Sequence, residues 1–492
     1  MTSALTIETY YATVAEPPEI AAPEGLLALS AVEVAARVGA GTLSAVAVVD
    51  AHLGRIAEVD DRLNAITRID GSARSAAEAV DRAVAEGRWL PLAGVPVTIK
   101  DNVDVAGQST PNGVAALEGT VASTDAPLVE NLRAAGAVVI GRTNTPEFSW
   151  RWHTDNPLFG PTRNPWDPEL TPGGSSGGAA AALAAGIGCL AQGNDAGGSL
   201  RWPANCTGLS TIRPTIGRIP SHNSTAPGER PLGIELCAVQ GPMARSVADV
   251  RLMLEVMSGY SWRDPSWVPA DHAVATGQHQ RRAGWCLGAG AEPYPEVAAA
   301  VEAACDALTA AGWTVTPVSP PDLEASARDW ATLINTDFHQ TSRAVMMEHG
   351  SPAIAAMLDA FDRFGPAVDL AGLYQVLARR SAQVRRWQQL LTETVDVVLL
   401  PVAMEPAWPA GDDVSSPART DQLFAANTPL VAMNFLGLPA AAQPTSVVDG
   451  RPNGVQIVAR RFAEHIALDA AEAIEGELGR LGPPPGDGPL RE

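Results

Sequence analysis

Lysine is almost absent from this chain of 492 residues. Of its 34 basic residues only Lys100 is a lysine, and all the others are arginines. On a surface either residue supplies a solvated positive charge, but a guanidinium keeps its proton, whereas a buried ammonium can lose its proton and act as a base. A chain that uses arginine everywhere else is expected to keep its single lysine for chemistry.

Cysteine is also scarce, and acidic residues outnumber basic ones. The five cysteines are odd in number, widely spaced and without a C-x-x-C pair, so we expect reduced, mostly buried thiols and neither a disulfide framework nor a zinc site. The formal net charge of −21 disfavours nucleic acid and anionic membranes as partners. No histidine has the spacing of a metal ligand, and we expect neither a metal nor a cofactor.

Two kinds of targeting or membrane segment are missing as well. Residues 1–11 carry acidic but no basic side chains and so lack the charged start of a secretory signal. The longest apolar stretch, the Ala/Gly-rich residues 179–191, is too short to span a bilayer. We expect a soluble, cytoplasmic protein that acts on a small molecule, alone or as a homodimer.

What the chain does contain is enough apolar sequence for a large core. Apolar residues make up 46% and charged residues 18%. Helices are predicted from Ser30, where Glu33 completes a capping box, and at 44–59, 72–86 and 127–135. Short apolar strands are predicted at 95–99, 137–141, 313–318, 395–400 and 454–459. This alternation favours a layered α/β protein with a largely buried sheet.

The ends and two internal segments differ in composition from the rest. Residues 1–24 end in a proline-rich stretch and are expected to form a loose arm, while 481–492 are expected to form a flexible Pro/Gly tail. Residues 261–280 are predicted to be a surface connection. Residues 329–390 carry long amphipathic helical patterns and are expected to form a helical rim over a substrate cleft.

A glycine–serine segment carries the densest chemical signal. Residues 172–178 read P-G-G-S-S-G-G, and residues 193–203 read G-N-D-A-G-G-S-L-R-W-P. A phosphate-binding loop would need a lysine near its end, and none is nearby. The S-x-x-K motif is absent because Val97 stands three residues before Lys100. Residues 173–177 satisfy the nucleophile-elbow pattern, but the prolines in 164–172 exclude the strand that must precede an elbow.

The same segment resembles the amidase signature family. The spacing of 24 residues between Ser175 and Ser199 fits that family, as does a lysine 75 residues before Ser175 in G-V-P-V-T-I-K-D-N. Further stretches similar to the family lie at 141–148, 164–166, 241–246 and 454–458, so the resemblance covers about residues 25–480. It implies one α/β/α domain over 25–480, with a large twisted mixed β-sheet covered by helices on both faces.

The resemblance also implies catalytic roles. Ser199 would be the nucleophile, Ser175, preceded by a cis peptide bond, the bridging serine, and Lys100 the base. The chemistry is consistent, because a serine hydroxyl needs a base and no histidine here stands in a recognisable triad context. A buried amine without a carboxylate partner can supply that base.

The residues around the nucleophile are given supporting roles. Ala196, Gly197 and Gly198 resemble the family's oxyanion loop, in which backbone N–H groups surround the developing negative charge. Asp195 and Arg201 are interpreted as structural braces.

Two neighbours of the catalytic residues and an aromatic set complete the expected site. Ser176 is expected to be structural, with hydrogen bonds to nearby backbone. Asn194 stands where the family commonly has a small hydroxyl residue, and we expect it to alter loop bracing or substrate choice. The residues expected to line the pocket, each with packing in the core as the alternative, are Phe148, Trp150, Trp152, His153 and Trp202.

The function implied is hydrolysis of carboxamide C–N bonds through an acyl-enzyme. Small or aryl amides are the expected substrates, and esters and carbamates (urethanes) present the same electrophile. The alternative is the amidase subunit of a tRNA-dependent amidotransferase, which would need a partner; the acidic surface counts against it.

Overall fold

The structure, a computed structural model, describes residues 23–270, 280–288 and 290–482. The arm expected at 1–24 and the tail expected at 481–492 lie almost entirely outside the described residues, and so do residues 271–279 of the expected surface connection. Among the described helices, none has the length and apolar character needed to cross a bilayer.

One mixed, eleven-stranded sheet runs through the described part of the chain. Its strand order is β1-β3-β2-β4-β6-β5-β10-β11-β9-β7-β8, with parallel pairing of β2 to β3 and β4 and of β7 to β8 and β9. The strands are β1 Ile66–Ile69, β2 Pro96–Lys100, β3 Val138–Thr143, β4 Leu190–Asp195, β5 Ser210–Arg213, β6 Val239–Ala244, β7 Arg282–Trp285, β8 Thr314–Pro317, β9 Val397–Pro401, β10 Ala440–Val448 and β11 Arg451–Ala459.

Helices cover both faces of this sheet. As a result, every residue of β2, β3 and β9 is buried, whichever way its side chain points. The helices are α1 Ala31–Gly39, α2 Ala45–Leu63, α3 Ala73–Ala85, α4 Pro127–Ala134, α5 Gly177–Ala184, α6 Arg201–Thr207, α7 Leu232–Cys237, α8 Val247–Met257, α9 Pro295–Ala310, α10 Leu323–Gln340, α11 Arg343–His349, α12 Pro352–Phe364, α13 Leu370–Gln389, α14 Pro417–Ala426, α15 Thr428–Leu436 and α16 Glu464–Leu478. The α/β/α prediction is confirmed.

Local signals placed several elements correctly. The capping box at Ser30 and Glu33 is present, with both of its reciprocal hydrogen bonds. The helix predicted at 44–59 continues to Leu63, where Asn64 ends it in the left-handed conformation at φ 51°. The five predicted strands are present, including the one that ends at Lys100.

Strand β4 was missed by the sequence patterns. Its sequence, L-A-Q-G-N-D, lacks the β-branched run that indicates a strand, yet it lies in the middle of the sheet between β2 and β6. Because β2 and β4 are parallel, their carboxyl ends reach the same edge of the sheet. This brings Lys100 at the end of β2 beside Asn194 and Asp195 at the end of β4.

Candidate active site

Lys100 is fully buried at the carboxyl end of β2. Its Nζ lies 2.7 Å from Ser175 Oγ, 3.1 Å from Ser176 Oγ and 2.7 Å from Asn194 Oδ1. All three partners are neutral oxygens, and no carboxylate forms an ion pair with the lysine among the described residues. Burial therefore lowers the pKa of Lys100 well below its usual value, and the more distant charge of Asp195 opposes that shift only in part.

The orientation of Asn194 is set by a directed chain of hydrogen bonds. Asn194 Nδ2 donates to Asn102 Oδ1 at 2.8 Å, and Asn102 Nδ2 donates to Ser149 Oγ at 2.8 Å. Ser149 Oγ in turn donates to Asn112 Oδ1 at 2.6 Å. The amide nitrogen of Asn194 is thus occupied, and its oxygen, which can only accept, faces Lys100.

This arrangement differs from what the sequence suggested for two residues. Asn194, expected to act on loop bracing or substrate choice, contacts the lysine amine directly. The Ser176 hydroxyl donates to the backbone oxygen of Asn194 at 3.3 Å, which is the kind of backbone contact expected for it. The same hydroxyl also accepts a hydrogen bond from Lys100, which was not expected. Sequence reasoning missed both contacts because they depend on how β2, β4 and the start of α5 meet.

The two serines of the glycine–serine segment stand at the start of α5. The peptide bond between Gly174 and Ser175 is cis, as the resemblance implied. Gly174 allows this close packing, because a Cβ there would lie 2.6 Å from the Arg151 carbonyl oxygen and 2.7 Å from the Trp152 carbonyl carbon. The backbone at Arg151 and Trp152 therefore packs directly against the peptide that carries Ser175.

Ser199 lies in the turn between β4 and α6 and lines a cavity. It is 8% exposed, whereas Ser175 is 1% exposed and Ser176 is fully buried. Within the described residues the Ser199 hydroxyl makes no hydrogen bond, so it is free to face a ligand. Of the serines in the two motifs, Ser199 is the one that lines the cavity.

The turn before Ser199 borders the same cavity, and Ala196 and Gly197 are among the residues that line it. The N–H of Gly198 donates to Asp195 Oδ1 at 2.8 Å. In the part of the chain that the structure describes, the N–H groups of Ala196 and Gly197 have no hydrogen-bond partner. Two of the three expected oxyanion donors are therefore free, and the third is already engaged.

Asp195 and Arg201 form an ion pair with both side chains fully buried. Arg201 Nε and one terminal nitrogen each lie 3.0 Å from a carboxylate oxygen, and Arg201 also contacts Asn434 at 2.8 Å and the Gln456 side chain. Burial alone would raise the pKa of Asp195, but the charge of Arg201 and the hydrogen bonds from Arg201 and Asn434 lower it overall. The structure thus places a charged brace between the loop before Ser199, α15 and β11.

The cavity beside Ser199 holds about 340 Å³ of space, part of it open to solvent. Four of the ten residues that line it are aromatic. The lining residues are Ser149, Trp150, Arg151, Trp152, Ala196, Gly197, Ser199, Trp330, Met357 and Phe361. Three of these, Trp330 on α10 and Met357 and Phe361 on α12, come from the segment expected to form a helical rim. Sequence reasoning did not single out these three, because nothing local distinguishes them from core residues.

Three of the five expected pocket residues do not line this cavity. Phe148 and Ser149 both adopt left-handed backbone conformations, at φ 54° and 58°, and this turn directs Ser149 to the cavity and leaves Phe148 outside its lining. Trp202 is fully buried and stacks on Trp408, with ring centroids 4.1 Å apart. His153 is fully buried, with Nδ1 3.0 Å from Thr171 Oγ1.

His153 is also unsuited to be a base. Burial, with a smaller contribution from the charge of Arg151, lowers its pKa to about 4.

No group of histidine, cysteine and acidic side chains in the described residues could hold a metal ion. All five cysteines are unpaired thiols, three of them buried.

Comparisons with known proteins agree with this geometry. The model of the family described as Amidase matches residues 47–468. The chain is 44% identical to an indoleacetamide hydrolase of Bradyrhizobium diazoefficiens, over 92% of this chain and 87% of that protein. It is 33% identical to a subunit of the glutamyl-tRNA(Gln) amidotransferase of Salinispora arenicola, over 93% of this chain and 99% of that protein.

Solved structures give the same result. A bacterial aryl acylamidase of the amidase signature family superposes with a TM-score of 0.78 at 27% identity, covering 91% of this chain and 96% of that chain. Native peptide amidase from Stenotrophomonas maltophilia superposes with a TM-score of 0.77 at 28% identity, covering 94% and 99%.

Proposed function

The chain belongs to the amidase family of hydrolases, and from that premise we propose that it cleaves small carboxamides with an aromatic acyl group through an acyl-enzyme on Ser199. In this proposal Lys100 is the general base and Ser175 carries the proton between base and nucleophile. The observation that carries the proposal is the surroundings of Lys100, a fully buried amine with three neutral oxygen partners.

The partners of Lys100 determine which group donates the proton in its hydrogen bond with Ser175. A neutral amine has two N–H donors and one lone pair. Asn194 Oδ1 can only accept, so one N–H points to it, and the second N–H points to Ser176 Oγ, which already donates towards the Asn194 backbone oxygen. The lone pair is left for the hydroxyl of Ser175, 2.7 Å away, which therefore donates to Lys100.

The reaction follows from that polarity. As Ser199 attacks the carbonyl carbon of a bound amide, its proton passes to Ser175, whose own proton passes to Lys100. The oxyanion of the tetrahedral intermediate accepts hydrogen bonds from the free N–H groups of Ala196 and Gly197. The proton then returns through Ser175 to the departing ammonia or amine, and a water molecule attacks the acyl-Ser199 ester by the same route.

The aromatic acyl group is inferred from the cavity wall. Trp150, Trp152, Trp330 and Phe361 surround the space beside Ser199, and aromatic rings recognise flat apolar groups of complementary shape. The Bradyrhizobium relative's name as an indoleacetamide hydrolase supports an arylacetamide such as indole-3-acetamide. Aryl esters and aryl carbamates (urethanes) present the same electrophile to Ser199 and are proposed as secondary substrates.

The test is a substrate panel with purified protein and no added partner or ATP. Indole-3-acetamide, phenylacetamide, acetamide, glutamine, a p-nitroanilide and an aryl carbamate are compared by release of ammonia or amine. We expect arylacetamides to give the highest kcat/KM, and mass spectrometry of quenched reactions to find the acyl group on Ser199 and none in the Ser199→Ala variant. Turnover that persists in Ser199→Ala would refute the nucleophile assignment.

The same panel addresses the second candidate function. The Salinispora relative, which is part of an amidotransferase, is similar over nearly its whole length, and this makes a partnered transferase the alternative. Such a protein would show little hydrolysis of arylacetamides without its partners, and glutamine would be its preferred amide. Efficient hydrolysis of arylacetamides without glutamine preference excludes that alternative.

A further inference from the structure

The aromatic wall of the cavity also contacts the oxyanion loop, and this contact suggests a second role that rests on the proposed function of Ser199. We infer that Trp330 is a positioning residue: its indole N–H holds the Ala196 carbonyl and thereby aims the Gly197 N–H at the oxyanion. Trp330 would then determine the rate of the chemical step as well as the shape of the pocket.

The geometry of the peptide unit links each carbonyl to the N–H of the next residue. A trans peptide unit is planar, so its carbonyl and its N–H point in opposite directions. The Ala196 carbonyl and the Gly197 N–H belong to one such unit, and the Asp195 carbonyl and the Ala196 N–H belong to the one before it. Whatever holds either carbonyl therefore fixes the direction of a free donor.

Both carbonyls are held by side-chain N–H groups from distant parts of the chain. Trp330 Nε1, on α10, donates to the Ala196 oxygen at 2.8 Å. Asn434 Nδ2, on α15, donates to the Asp195 oxygen at 3.0 Å. The N–H groups of Ala196 and Gly197, which have no partner among the described residues, are thus the opposite ends of two anchored peptide units.

The next peptide unit shows the contrast. The Gly197 carbonyl accepts from Trp152 Nε1 at 2.9 Å, but the N–H of this unit, that of Gly198, is used by Asp195. Trp152 therefore braces a unit with no free donor, whereas Trp330 braces a unit whose donor is available to substrate.

Trp330 is also buried and packs closely against the loop. It is 2% exposed, and a Cβ on Gly197 would lie 2.7 Å from its ring carbon Cζ2. Phe361 also packs against Trp330, with ring centroids 5.2 Å apart. Because Trp330 lines the cavity as well, an acyl group that fills the cavity presses on the same indole that aims the donor.

A distinct kinetic effect follows. The negative charge on the carbonyl oxygen is absent from the bound amide and develops as the tetrahedral intermediate forms. A misaimed donor therefore lowers kcat, while a lost wall contact raises KM. Trp330→Phe keeps an aromatic ring but removes the N–H. We expect its kcat for indole-3-acetamide to fall by about 10- to 100-fold, less than the about 10²- to 10³-fold cost of deleting an oxyanion donor, with KM changed far less.

Two matched variants serve as controls. Trp150 lines the same cavity, but within the described residues its indole nitrogen has no hydrogen-bond partner, so Trp150→Phe should raise KM and keep kcat. Trp408 is buried in the same hydrophobic core cluster as Trp330 and is absent from the cavity lining. Its indole nitrogen has no hydrogen-bond partner in the described part of the chain. Trp408→Phe should leave both constants near those of the parent enzyme.

The outcomes separate the two proposals. A Trp330→Phe enzyme with parental kcat and raised KM overturns the positioning role but leaves Ser199 as nucleophile untouched. If Trp330→Phe does not fold, β-(3-benzothienyl)-alanine at position 330, which keeps the ring shape and lacks the N–H, decides by the same comparison. Acylation that persists in Ser199→Ala would instead contradict the proposed function itself.

Discussion

Asn194→Asp is the substitution that tests most directly whether Lys100 works as a neutral base. It replaces the amide oxygen 2.7 Å from Lys100 Nζ with a carboxylate oxygen and changes the volume of the side chain little. At that separation, two opposite unit charges attract by about 6 kcal/mol at an effective dielectric constant of about 20. Because burying a second charge offsets part of that energy, we expect the pKa of Lys100 to rise by about 2 units, within the range typical of a nearby opposite charge.

The consequence is a change in pH dependence. The base must be unprotonated, so kcat/KM rises with pH through the lysine pKa, and a raised pKa moves this acid limb to higher pH. A shift of about 2 units lowers kcat/KM about 100-fold on the acid limb, and raising the pH restores the loss. The measurement is a kcat/KM profile for indole-3-acetamide from pH 5 to 10.

Asn194→Thr is the matched control for that experiment. It also loses the hydrogen bond from Asn194 Nδ2 to Asn102, but it brings no charge to Lys100. Its acid limb should therefore stay near that of the parent enzyme, whatever happens to the maximal rate. An Asn194→Asp profile whose acid limb coincides with that of Asn194→Thr would refute the neutral-base reasoning.

Three further predictions concern the base, the serine pair and the brace. Lys100→Arg should be as inactive as Lys100→Ala in a kcat/KM assay, because a guanidinium cannot act as the base; substantial activity in the arginine variant would exclude that role. Ser175→Ala should lower kcat by about 10²- to 10⁴-fold and Ser176→Ala by less than about tenfold, since only Ser175 relays the proton; equal losses would show that the assignment is wrong. Arg201→Met should cost about 3–5 kcal/mol of unfolding free energy in urea denaturation because it leaves Asp195 buried and unpaired, and adding Asp195→Asn should recover part of it; a loss below about 1 kcal/mol would contradict a structural brace.

Much of the fold could be predicted because its signals are local. The capping box at Ser30 and the apolar strand that ends at Lys100 need only a few neighbouring residues to be recognised. Strand β4 could not be predicted, since a strand in the centre of a sheet is stabilised by its two neighbours and its own sequence is rich in polar residues. The chain segment that carries Asn194 was therefore placed only by the structure.

The candidate site was likewise predictable from the sequence only in part. Phe148 and Trp150 look alike in the sequence, but the left-handed turn at Phe148 and Ser149 puts only Trp150 in the cavity wall. Ala196, Gly197 and Gly198 were equivalent as oxyanion donors until the bond from Gly198 to Asp195 distinguished them. Such differences depend on single hydrogen bonds, which a pattern of residue types does not specify.

The sequence by itself determined which groups are available for chemistry: one lysine at the end of an apolar strand, and two serines in glycine-rich turns at fixed spacing. Residue identity and spacing are enough for that. Only the tertiary structure decided how the groups of the site are oriented, because the hydrogen bonds that orient them join residues far apart in the chain. Trp330 lies 134 residues from the Ala196 carbonyl that it holds, and Asn434 lies 239 residues from that of Asp195. Contacts of that range arise from the packing of α10 and α15 against the end of β4, and no local pattern contains them.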